Sequence, residues 1–194
     1  MAFRLYLIPI IGAGVKGDAR RPKYLGDGTI ASPWSGMDYG LDRWMVVGAD
    51  LSVADDSTLA GQPDVLALPV NLALQLTAPQ VTTMQAALEA INLPAGWVDT
   101  TFTWQQVVRI VLGVLSFMQR FAALSGASLF PTGVTLATTV GGLAVSARTN
   151  LLQAAMELGL DTSGVTGSST LRQVLKNVGT QLQARPYTIG GVQI

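Results

Sequence analysis

The sequence predicts an α+β protein: a small N-terminal sheet with one short helix, followed by a mainly helical C-terminal domain of about four helices. Three observations predict it. Strand-like alternation is confined to the first 70 residues, whereas a helical apolar period begins after Thr77. The segments Thr77–Gln80, Thr103–Gln106 and Thr170–Gln173 each place a hydroxyl three residues before an amide, the form of a helix-opening capping box. The chain has 194 residues, room for one large domain or two small ones. Residues 1–70 are expected to form an α/β unit with a long loop arm, 77–185 the helical domain, and 186–194 a strand-like tail.

The elements follow in order. Phe3-Arg-Leu-Tyr-Leu-Ile-Pro-Ile-Ile11 alternates as a strand, and Pro9 marks it as an edge or a bulge. From Gly12 to Gly40 glycines and prolines interrupt the chain with no helical period, and so long a loop points to function or an interface. Trp44-Met-Val-Val-Gly-Ala49 reads as a strand. Asp55–Ala60 reads as a short helix whose first-turn acids suit its dipole, and Asp64–Leu68 as another strand.

The helices come next. Val81, Met84, Leu88 and Ile91 form an apolar stripe, ended by Asn92 and Pro94. The longest helix opens at Thr103 and runs to about Ser125, with Gly126 as its cap. Gln105, Arg109, Gly113, Ser116 and Arg120 share one narrow stripe; the rest is mostly apolar, so this helix is a spine surrounded by protein. A third helix spans about Ala147–Leu158, with Leu151, Leu152, Ala155 and Met156 expected inward and Gly159 as cap. Asp161–Ser169 is a loop by composition. Leu171, Leu175, Val178 and Leu182 follow at heptad spacing, and Pro186 closes the last helix.

Composition excludes much chemistry. The chain has no His and no Cys, so disulfides, thiolate metal sites and Ser-His or Cys-His nucleophile pairs are impossible. Only 12% of residues are charged, against ~25% usually, and the formal net charge is zero. Between Pro63 and Leu160 the charged residues are Asp64, Glu89, Asp99, Arg109, Arg120, Arg148 and Glu157. So sparse an ionised surface favours association, and points to a subunit partly covered by neighbours. Arg109 and Arg120 need partners if buried, and Glu157, Asp99 or Glu89 are the candidates.

No signal peptide is expected: the N-terminal apolar run comes without a basic start and without a small-residue cleavage pattern before Gly12. No membrane span is expected either. Ile110–Met118 is too short, and Leu129–Val145 carries Pro131, three glycines and four threonines.

Gly12-Ala-Gly14-Val-Lys-Gly17 fits G-x-G-x-x-G after a strand, so a nucleotide-binding domain or enzyme using this turn is the alternative reading. Its continuation through Pro22 and further glycines lacks the helix whose amides would hold a pyrophosphate. Asp161-Thr-Ser-Gly164 has one residue too many for an aspartic-protease loop. Asp50, Asp55 and Asp56 lack the spacing of a calcium loop. No lysine has a serine at S-x-x-K spacing. No catalytic residue, metal site or cofactor is assigned, and no enzyme activity is expected.

Lys16, Arg20, Arg21 and Lys23 form the basic cluster, with Tyr24 beside it. In a neutral chain this favours an acidic protein surface over nucleic acid.

The segments Arg4-Leu-Tyr-Leu-Ile-Pro-Ile-Ile-Gly, Arg20-Arg-Pro-Lys-Tyr, Trp34-Ser-Gly-Met-Asp-Tyr-Gly and Trp44-Met-Val-Val-Gly-Ala-Asp carry a resemblance. Across residues 1–70 the chain resembles small uncharacterised virion structural proteins of tailed bacteriophages. The resemblance implies a particle protein and brings no catalytic residues.

The expected function is therefore structural: a virion subunit at a capsid surface, head–tail junction or tail, assembled in the host cytoplasm. Its partners would be copies of itself and other virion proteins, in a homo-oligomer or large assembly. No small-molecule substrate, nucleic acid or membrane is expected. Candidate interface residues are Lys16, Arg20, Arg21, Lys23, Tyr24, Trp34 and Tyr39, with Tyr187 and Ile189 in the tail.

Overall fold

A computed structural model describes residues 3–9, 34–38, 44–50, 66–90, 98–126, 132–189 and 192–194. The chain divides into two compact units. One comprises Met1–Gln75, Thr103–Gln105 and Pro186–Ile194; the other comprises Leu76–Phe102 and Gln106–Arg185.

The second unit is helical. Its helices are α1 (Ala78–Ala90), α2 (Trp104–Ser125, whose first two residues belong to the other unit), α3 (Val145–Glu157) and α4 (Leu171–Leu182). Local signals start and stop them. Gln80 Oε1 accepts from the Thr77 backbone N–H at 2.9 Å, one half of the box that the sequence pattern predicts. At α4 both halves form: the Thr170 side chain accepts from Gln173 N–H, and the Gln173 side chain accepts from Thr170 N–H. Gly126 and Gly159 adopt φ of 66° and 64° just past α2 and α3, where a side chain would be strained. After α3, Gly159 N–H donates to Met156 and Leu160 N–H to Ala155, closing the Schellman pattern.

Helix α2 is the core. Val107, Val108, Ile110, Val111, Leu112, Val114, Leu115, Phe117 and Met118 are each at most 2% exposed. Burying one such side chain contributes about 1.5–3 kcal/mol before chain entropy is counted. At 22 residues α2 is also long and apolar enough to cross a membrane, but 67% of its most apolar window is buried inside the protein, as in a core helix. Leu171, Val174, Leu175, Val178 and Leu182 supply the buried face of α4. The helices approach closely at Gly113, where an added Cβ would lie 2.5 Å from Leu182 Cβ. The sequence places Gly113 on the polar stripe of α2; here its missing side chain makes room for α4.

The fold class requires correction. The sequence predicts α+β with a small N-terminal sheet. Among the described residues the helical unit has no β-strand or sheet and is about 55% helical, with four helices. The class it supports is a four-helix domain. Among the described residues, strands form only along the backbone of the other unit, and the helical unit has a single isolated bridge between Thr139 and Thr170. In the other unit β1 (Phe3–Pro9), β2 (Trp34–Asp38), β3 (Trp44–Asp50) and β4 (Leu66–Ala67) run antiparallel in the order β2-β3-β1-β4. Of their side chains only Tyr6, buried, and Ala67, exposed, are described, which defines no packed sheet face. The physical reason for the correction is that alternation encodes an extended backbone, whereas a fold class is set by packed layers. The expected short helix at Asp55–Ala60 lies outside the described residues.

Candidate functional site

Helix α3 carries the most exposed apolar surface of the helical unit. Leu151, Ala154 and Ala155 are buried, while Val145, Leu152 and Met156 are 69%, 36% and 70% exposed. Leu152 and Met156 were expected inward, and this is a second correction. At 100° per residue, Val145, Leu152 and Met156 fall within a stripe about 40° wide, and Thr149 lies about 20° beyond one edge of it. Their 7- and 4-residue spacings, with Thr149 included, make a 4-3-4 seam of the kind that packs helix against helix. Thr149 spends its hydroxyl proton on its own helix, donating to the Val145 carbonyl at 3.0 Å.

A polar rim flanks the seam. Glu157 Oε2 accepts from Arg120 Nε, and Glu157 Oε1 accepts from Gln153 Nε2 at 2.9 Å. The Arg120 hydrogen bond, then that from Gln153, holds the Glu157 carboxyl below its ordinary pKa, and the same pairing raises Arg120. An apolar stripe beside a polar rim is the anatomy of a protein–protein contact surface.

The other acids are accounted for locally. Glu89 pairs with Arg172 at 3.4 Å. Asp99 accepts from Thr101 hydroxyl and N–H, which lowers its pKa; Asp161 is lowered similarly by Ser163. None of the three acids named as partners thus reaches Arg109. Its Nε is buried without a hydrogen-bond partner. Among the described residues no group of three or more acids could hold a metal ion.

Of the expected interface residues, Trp34, Tyr187 and Ile189 belong to the described residues. Lys16, Arg20, Arg21, Lys23, Tyr24 and Tyr39 lie outside the described residues, as does the Gly12–Gly17 turn. Trp34 opens β2 and Ile189 ends β5 (Thr188–Ile189), which pairs with β6 (Val192–Gln193). Tyr187 is partly exposed, and its backbone exchanges hydrogen bonds of 3.0 and 2.7 Å with Ile194. The tail therefore pairs with itself across a short hairpin.

The seam was legible in part. Leu151, Leu152, Ala154, Ala155 and Met156 span more than one face of a helix, so a single neighbour cannot cover them all. No family model, curated protein or solved structure matches the chain.

Proposed function

We propose that this chain is a structural subunit of a tailed-phage-type particle, at a capsid surface, head–tail junction or tail, held there by apolar protein–protein contacts. The outward seam of Val145, Leu152 and Met156 carries the reading. Large apolar side chains grouped on one exposed helix face favour burial against protein. A formal net charge of zero opposes association only weakly. The likeness of residues 1–70 to phage virion proteins narrows the setting to a particle.

Three or four side chains bury far less than the ~800 Å² per partner of a standard stable interface. The seam would act as one of several contacts whose effects multiply when many copies assemble.

Light scattering of the purified full chain tests this. The expected mass is a multiple of 20.3 kDa. A Leu152→Glu/Met156→Glu double variant should shift the mass toward the monomer with little change in melting temperature, because neither side chain belongs to the core. A wild-type protein that remains a monomer across concentration would sink the proposal.

A further inference from the structure

The loop after α3 and the first two turns of α4 border an open depression of about 370 Å³. That volume falls in the range of about 300–1,000 Å³ common to small-molecule sites. Val165, Ser168, Ser169, Gln173, Val174 and Asn177 line it, together with Gly164, and none of these is charged.

The walls are held in place. Gln181 Nε2 donates to the Asp161 carbonyl and Gln181 Oε1 accepts from Asp161 N–H, at 2.9 and 2.8 Å. Ser169 Oγ accepts from Thr166 N–H at 3.0 Å. The far side is pinned by Gly141 N–H to the Gly167 carbonyl and Val140 N–H to the Ser169 carbonyl, each 2.8 Å. A site built this way loses little entropy when it binds.

Two side-chain amides set its chemistry. Gln173 Oε1 is occupied by Thr170 N–H at 2.8 Å, and Asn177 Oδ1 by Gln181 Nε2. Each amide is thereby oriented with its oxygen engaged inside the chain. Their NH2 groups have no partner among the described residues. Gln173 and Asn177 stand one turn apart on α4, so their Cβ atoms are about 5–6 Å from each other. Ser168 and Ser169 add hydroxyls that can donate or accept. Val174 is buried and Val165 partly so, giving the depression an apolar floor.

Paired neutral donors, flexible hydroxyls and an apolar floor suit a ligand with several uncharged oxygens around a C–H face. A phosphate or carboxylate would find no lining cation here to pair with. We propose that this depression binds a neutral saccharide unit. The inference is independent of the subunit reading, which concerns the outer face of α3.

The test is a ¹H–¹⁵N NMR titration of the full chain with glucose, galactose and N-acetylglucosamine, and in parallel with inorganic phosphate. The expected result is a saturable shift of the Gln173 and Asn177 side-chain NH2 signals with at least one sugar, with a Kd of about 1–10 mM. Gln173→Glu separates binding from folding. A carboxylate at this position still accepts from Thr170 N–H, and an acid in the first turn suits the helix dipole. The variant should keep or raise the melting temperature while weakening the sugar about tenfold, because the donor is gone. Asn177→Asp should weaken it similarly. The proposal is overturned if no sugar saturates by about 100 mM, if phosphate saturates the site instead, or if Gln173→Glu binds sugar as well as the wild type does.

Discussion

Gly113 shows how one missing side chain sets helix packing. Replacing it with alanine would gain about 1 kcal/mol of helix propensity. The new methyl would meet Leu182 Cβ, an atom fixed to the backbone of α4, so relief requires the helices to move apart. Overpacking of this sort costs about 1–3 kcal/mol. Gly113→Ala is therefore expected to lower the melting temperature, and calorimetry that found it unchanged or higher would refute the close packing. Glu157 carries a second consequence. Its carboxyl titrates lower in the folded protein than in the unfolded chain, so the unfolded chain binds more protons in acid. The stabilisation is present above the unfolded carboxylate pKa of about 4.3 and is lost as pH falls through the folded value. Asp99 and Asp161 act with the same sign. The urea midpoint should fall on acidification from roughly pH 6 to roughly pH 3, and Arg120→Gln should reduce that fall without removing it. Superimposable pH curves for variant and wild type would exclude a contribution from the pair.

The four helices were legible because their signals are local. Capping boxes, the glycines at 126 and 159 and the apolar periods all act within a few residues, and helix limits follow them closely. The cap on α4 is the most complete. Thr170→Ala removes the acceptor for Gln173 N–H and is expected to cost about 0.5–2 kcal/mol, read as a lower urea midpoint with an unchanged slope. Helix α3 shows the limit of this kind of reading. Its apolar residues cover two faces, so periodicity could not tell which face turns inward. The inward face became Leu151, Ala154 and Ala155, leaving Leu152 and Met156 outside. The N-terminal alternation misled in a related way: extended backbone was legible there, but a sheet as a packed layer was not.

For the molecule as a whole, a sparsely charged chain must cover apolar surface somewhere, and among the described residues α2 contributes the largest buried share. The apolar side chains left exposed on α3 are what the subunit proposal rests on, and the light-scattering experiment decides that point. Composition ruled out thiol and imidazole chemistry before any fold was known, and short-range patterning located the helices and their ends. Folding settled the rest: the outward side of α3, the fit of Leu182 against Gly113, the choice of Arg120 over Arg109 for Glu157, and the amide-rimmed depression beside α4. These features join residues tens of positions apart, and no pattern confined to a few turns of chain can encode which distant partner fills the space.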